Sequence, residues 1–236
     1  MEGLEIERQG AVLVATVERG DQNSFTSEMI DTLADALDEA DEDGSTRFVR
    51  IRARGPVFCV SRDRAGTTPE ELRAEAGRIV RINETLRTTQ LVSVAEVHGD
   101  AAGFGCGIVG ACDIAVASED ARFWFPEISM GLAPTVVISW ASKLLPVKRA
   151  FDMAVSGEPI DAATAAAVGL ITETVPSDRV APRVEARIAA MEAFDAVGIR
   201  EIKRFFVHVR TMDAPSAARA SIDPLVLGSL RLQGRR

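Results

Sequence analysis

Apolar and β-branched residues crowd positions 11–18 (AVLVATVE), and positions 47–53 (RFVRIRA) alternate between apolar and polar from Val49 on, the mark of a strand with one face buried. Between them Met29, Ile30, Leu33, Ala36, Leu37 and Ala40 recur at helical spacing before the chain reaches DEDG, which predicts an amphipathic helix with a glycine stop. The opening therefore reads β-β-α-β. Thr68-Pro69-Glu70-Glu71 announces a second helix running to about Leu86: a capping threonine, proline at the first helical position and a glutamate that can reach back to the cap. A strand is expected at Val92–Val97. A glycine-rich turn follows over 99–110, and CDIAVAS begins another strand. Residues 136–169 read as largely helical, with breaks near Pro146 and over 157–161, and Asp161 caps a short helix stopped by Gly169. From about Ser177 the pattern is helical, more charged and looser, and the basic end RLQGRR is expected to fray.

Charge and composition narrow the function classes. With 27 Lys plus Arg against 35 Asp plus Glu, the formal charge is -8, so a nucleic-acid backbone would meet repulsion and is not an expected partner. Cys59, Cys106 and Cys112 are an odd number, without CxxC spacing or clustered histidines; neither a metal site nor a disulfide framework is expected, and a reducing cytoplasm fits. The apolar runs are broken by charge within about a dozen residues, short of the roughly 20 a membrane span needs. No membrane partner is expected. A 236-residue chain that is 47% hydrophobic can bury its core without cross-links.

The most informative segment is HGDAAGFGCGIVGACD at 98–113. Its glycines allow close backbone approach and leave free amides at a helix start. It lacks the context of a dinucleotide fingerprint and the Gly-Lys-Ser/Thr of a P-loop. Beside it stand Phe58-Cys59-Val60-Ser61-Arg62-Asp63, the run Phe125-Pro126-Glu127 through Pro134, Asn23-Ser24-Phe25 upstream and SGEPIDAATAAAVGLITETVP at 156–176. In this order and spacing, over about residues 10–195, these motifs resemble the crotonase superfamily, the enoyl-CoA hydratase/isomerase family.

That resemblance implies an α/β fold, a spiral of ββα units forming two nearly perpendicular sheets over residues 1–176. A C-terminal helical region at 177–236 would mediate trimer contacts, giving a homotrimer or homohexamer. It also implies an acyl-CoA thioester substrate, with coenzyme A carried on the substrate and no separate cofactor. The carbonyl oxygen would lie between the backbone amides of Arg62 and Phe104, since paired amides stabilise an enolate oxyanion more than the ground state. Ser61, Gly103, Gly107 and Pro134, within the same motifs, are the expected substrate-lining positions.

The family's hydratases carry two glutamates, and here the first place is Gly107 while Glu127 keeps the second. A double-bond isomerase needs one base, which removes a proton from C2 and returns it at C4. Isomerisation of an enoyl-CoA by Glu127 is therefore the leading expectation. Two alternatives stand beside it: a hydratase using Glu127 alone or with an ordered water, and a catalytically weak paralogue that binds acyl-CoA or serves as a subunit. Ser61 replaces a common glycine, Phe104 puts a bulky ring beside the oxyanion turn, and Pro134-Thr135-Val136-Val137 replaces a glycine-rich stretch, so the pocket is expected to be reshaped.

The remaining polar residues carry less. Asp63 is read as a helix or turn cap. Asp100 is read as a turn residue bonding its own backbone, with replacement of the missing carboxylate as the alternative. His98 and His208 are structural, Cys106 and Cys112 inert core thiols, and Phe123, Trp124, Phe125 and Trp140 packing residues. Arg62 and Arg64 are candidates for CoA phosphates. Ile199, Ile202, Phe205, Phe206 and Val209 form an apolar stripe beside Lys203 and Arg204, the expected subunit contact.

Overall fold

The computed structural model describes residues 1–234; Arg235 and Arg236, the end of the basic terminal run, lie outside the described residues. In chain order the elements are β1 (Leu4–Gln9), β2 (Val12–Val17), α1 (Ser27–Asp43), β3 (Phe48–Ala53), α2 (Pro69–Thr88) and β4 (Val92–Val97). Next come β5 (Ala101–Ala102), α3 (Phe104–Ala111), β6 (Ile114–Ser118), β7 (Arg122–Trp124), a 3-10 turn at Pro126–Met130, α4 (Thr135–Leu144) and α5 (Val147–Ser156). The chain closes with β8 (Ile160–Asp161), α6 (Ala162–Ala167), β9 (Glu173–Val175), α7 (Val180–Glu192), α8 (Ala196–Val209), α9 (Ala214–Ala220) and α10 (Ile222–Gln233).

The expected β-β-α-β opening is present, and the helix signals act as read. Thr26 caps α1 by accepting from the Met29 amide, and Gly44 ends that helix in the left-handed region. Thr68 and Glu71 form the reciprocal capping box of α2, and Asp161 caps α6 by accepting from Thr164 N at 2.7 Å.

The larger sheet has the order β1-β2-β3-β4-β6-β9, antiparallel only at β1–β2. A smaller sheet, β5-β7-β8, stands apart from it. Because side chains alternate across a strand, the central strands feed two cores. Val49, Ile51, Ala95 and Val97 join the main cluster with Leu33 and Leu37 of α1 and Ile82 and Leu86 of α2. Phe48, Val94 and Val116 point the other way, where α7 covers them with Val180, Val184 and Ile188. The same face holds a buried Arg50–Glu96 ion pair, with Glu185 of α7 3.2 Å from the Arg50 guanidinium. Among the described residues no helix is long and apolar enough to cross a membrane.

The expected apolar stripe on α8 is left partly in solvent in the single chain, and the helix packs inward through a charged residue. Ile202 and Phe206 are 67% and 58% exposed, whereas Lys203 is the buried residue of the helix. Its ammonium reaches both Asp113 carboxylate oxygens, at 2.5 and 2.6 Å, and Asp113 also accepts from the amide and hydroxyl of Ser93. The pair ties α8 to the loop after α3. Lys203→Met is expected to destabilise the chain by about 1.5–3 kcal/mol, the range for hydrogen bonds to a charged group. An unchanged denaturation midpoint would show that α8 is held by packing alone.

Candidate active site

The site grows from a chain crossing that only glycine permits. Residues 58–62 leave β3 and run beside β5: Cys59 bridges Ala101, and Arg62 bridges Phe25. A Cβ at Gly105, in the first turn of α3, would overlap the carbonyl oxygen of Cys59 and lie 2.9 Å from its carbonyl carbon. The start of α3 is thus pressed against the segment that carries Arg62. Gly103, just before the helix, has φ +50°, a conformation that favours glycine.

Two amides are left unclaimed by this arrangement. In the Phe25–Arg62 bridge, Phe25 N donates to Ser61 O and Asp63 N donates to Phe25 O, so Arg62 N is not used by the ladder. Phe104 N opens α3, where no intrahelical acceptor exists. Neither amide has an acceptor among the described residues.

Two adjoining cavities border both residues. One, of about 180 Å³, runs between α2, α3 and α4, with Ile79, Asn83, Gly107, Pro134 and Trp140 in its wall. The other, of about 340 Å³, opens past Ser61, Pro126 and Met130. Arg62, Arg64, Gly103, Phe104 and Glu127 line both, and so form the neck between them. All seven positions singled out in the sequence, Glu127, Arg62, Phe104, Ser61, Gly103, Gly107 and Pro134, are therefore brought to one place. The Phe104 ring is buried against Phe25, with centroids 5.0 Å apart.

Glu127 enters from the 3-10 turn, whose proline start and Gly131 end, at φ +75°, fix its position. One carboxylate oxygen lies 3.2 Å from where a Gly103 Cβ would stand. The other, Oε2, is buried without a hydrogen-bond partner. Burial raises its pKa above the usual carboxylate range, offset in part by a hydrogen bond from its own amide and the fields of Arg64 and Arg62. A desolvated carboxylate of raised pKa is suited to taking and returning a proton.

The loop after Arg62 is anchored from α2. Glu75 accepts from the amides of Ala65 and Gly66, at 2.9 and 2.6 Å, and from the Arg62 guanidinium at 3.3 Å. Those backbone bonds hold its carboxyl below the usual range. The stabilisation is therefore present above the ordinary glutamate pKa and is lost as pH falls through the lowered one.

Arg62 is accordingly occupied, while Arg64 is exposed at the neck with no ion pair among the described residues. Asp63 does not cap a helix. It takes a two-pronged ion pair from Arg19, both contacts at 2.9 Å, because the capping role falls to Thr68 five residues on. Asp100 bonds neither its own backbone nor the cavity: it accepts from the amide and guanidinium of Arg122. His98 contacts Gly55 O at 2.9 Å, away from the site. Burial raises the Cys106 and Cys112 thiols well above their ordinary pKa, which leaves them unreactive.

One polar residue of the site escapes motif reading. Asn83 lies on the stripe of α2 with Ile79, Ile82 and Leu86, is 7% exposed and lines the inner cavity. Its signal in the sequence is an amide at a position where the helical period calls for an apolar side chain.

Comparisons with known proteins find relatives in sequence and in fold. The enoyl-CoA hydratase domain-containing protein 3, mitochondrial, of Xenopus laevis is 34% identical over 167 residues, 66% of this chain and 55% of that protein. The rat protein of the same name is matched over 59% of its length, so the chain spans little more than half of these relatives. The 2,3-dehydroadipyl-CoA hydratase of Escherichia coli is 31% identical over 75% of this chain and 71% of its own. Among solved structures, an enoyl-CoA hydratase of Mycobacterium smegmatis superposes with a TM-score of 0.92 at 27% identity, covering 97% of this chain and 91% of that one. The sequence profile described as enoyl-CoA hydratase/isomerase matches residues 7–223, nearly the whole sheet-and-helix assembly that builds the site, and the chain belongs to that family.

Proposed function

We propose that this chain shifts the double bond of an enoyl-CoA thioester from position 3 to position 2. The observation that carries the reading is a single desolvated carboxylate, Glu127, at the neck that also borders the two unclaimed amides of Arg62 and Phe104. The thioester oxygen accepts from both amides. Glu127 removes a proton from C2, and the electrons of that C–H bond form the enolate, whose negative oxygen the amides stabilise. Collapse of the enolate makes the C2–C3 double bond, and the electrons of the former C3–C4 double bond take the proton back from Glu127 at C4. Gly107 carries no second carboxylate, and Asp100 is committed to Arg122. Among the described residues Arg64 has no ion pair at the cavity that opens past Ser61, and it suits a CoA phosphate.

Mixing the protein with a 3-enoyl-CoA should raise the absorbance of the conjugated thioester, and crotonyl-CoA should lose it more slowly. Loss of crotonyl-CoA absorbance without a response to the 3-enoyl substrate would favour hydration with Glu127 and a water. Binding without either reaction would favour an acyl-CoA binder.

The proposed assembly is a homotrimer or homohexamer, and the proposed setting is the cytoplasm, in keeping with three free cysteines. Support for assembly comes from apolar side chains left in solvent: Phe151 on α5, Ile202 and Phe206 on α8, and Leu225, Leu227, Leu230 and Leu232 on α10. Fully burying one such side chain contributes about 1.5–3 kcal/mol. Light scattering is expected to give a multiple of 25.3 kDa at micromolar concentration; a mass near one chain would overturn the assembly.

A further inference from the structure

Arg62 is placed under two demands. Its amide is one of the two left unclaimed at the neck, so its backbone is fixed there, and the same residue carries a guanidinium where the Glu127 carboxylate has an unpaired oxygen. Left free, that guanidinium would pair with Glu127 and lower its pKa, making it a weaker base. It is not left free. Arg62 Nη1 donates to Glu75 Oε2 at 3.3 Å and to Asp63 O at 3.1 Å. The other oxygen of Glu75, Oε1, accepts from the amides of Ala65 and Gly66 at 2.9 and 2.6 Å. One oxygen thus holds the backbone after Arg62 and the other holds its side chain. The loop has a second hold on α2, because a Cβ at Gly66 would stand 3.1 Å from the carbonyl carbon of Glu71.

We propose that Glu75 is a positioning residue of the site, which through its Oε2 keeps the Arg62 guanidinium from pairing with Glu127 and so leaves Glu127 free to take the proton. The inference rests on the reading of Glu127 as the base and adds what keeps that base without a counter-ion. Among the described residues the charged groups lining the two cavities are Arg62, Arg64 and Glu127. Cys106 of α3, whose thiol feels the Glu127 charge, is held neutral by burial. Arg64 acts on Glu127 as a field, without an ion pair among the described residues. Asp63, next in the chain to Arg62, is taken by two nitrogens of the Arg19 guanidinium. With the Glu75 charge removed, the carboxylate at the neck with an open oxygen is therefore Glu127.

The test titrates Glu127 itself, by carbon NMR of labelled glutamate carboxyls in the full chain without substrate, its signal being the one lost in Glu127→Gln. In Glu75→Gln the amide oxygen can still accept from Ala65 and Gly66, while the NH2 group cannot hold a guanidinium. The Glu127 midpoint should then fall by about 1–3 pH units, the effect of a close opposite charge, and the acid limb of kcat for a 3-enoyl-CoA should fall with it. Adding Arg62→Met to Glu75→Gln should return the midpoint to the wild-type value or above it, an outcome that a merely loosened loop would not give. Should Glu75→Gln not fold, Arg62→Met alone decides: it should raise the midpoint by less than about one pH unit, since Glu75 already holds the guanidinium. A rise of about 1–3 pH units there, or an unchanged midpoint in folded Glu75→Gln, would overturn the inference. A wild type that binds a 3-enoyl-CoA without shifting its double bond would overturn the reading of Glu127 as the base, and this role of Glu75 with it; the substrate-free midpoints tell that failure from the other.

Discussion

Glu127→Gln is expected to lower turnover of an enoyl-CoA by ~10²- to 10⁴-fold, the usual contribution of a general acid-base group, while leaving thioester affinity nearly intact. Glutamine keeps the shape of the side chain beside Gly103 but cannot accept a proton. Activity in the wild type should rise with pH as Glu127 ionises, with its midpoint above the ordinary carboxylate range, since burial opposes the charge. The same residue makes a stability prediction of fixed sign. A carboxyl whose folded-state pKa is raised stabilises the fold below its unfolded pKa, and that stabilisation is lost as pH rises through the folded value. Gln and wild type should therefore unfold alike in acid, and Gln should be the more stable at neutral pH. Full turnover in Glu127→Gln would remove this residue from the chemistry.

Gly105→Ala is expected to destabilise the chain by about 1–3 kcal/mol or more and to depress activity with it. Taken as a helix residue alone, alanine would be the better by roughly 1 kcal/mol. The contact decides the sign. The atom in the way is the backbone carbonyl of Cys59, which also accepts from Ala102 N at 2.9 Å and cannot swing aside as a side chain would. Relief requires α3 to lift away from the Cys59–Arg62 segment, and that movement separates the two amides that would hold the thioester oxygen. Gly77 supplies the contrast, being an exposed glycine of α2 with open space where a Cβ would point. Gly77→Ala should stabilise by about 0.5–1 kcal/mol. Thermal melts of the two variants should move in opposite directions, and a Gly105→Ala protein as stable and active as wild type would sink the close-approach argument.

Local signals determined the elements. The apolar, β-branched run at 11–18, the alternating run at 47–53, the Thr68 capping box and the Asp161 and Gly44 punctuation act within a few residues of themselves, and each produced the element it encodes. The ordered motifs around Ser61, Gly103 and Glu127 likewise marked the family and the place where these positions meet. Other outcomes depended on partners remote in sequence. Asp63 meets Arg19 across 44 residues, Asp100 meets Arg122 across 22, and Lys203 meets Asp113 across 90. No periodicity in α8 could reveal that its charged residue would be the buried one, because burial there is set by a carboxylate on another element. Asn83 is the same case at the site. Its amide interrupts an apolar stripe in the sequence, but only the packing of α2 over α3 places it opposite Gly107, where the absence of a side chain leaves room for what a substrate brings.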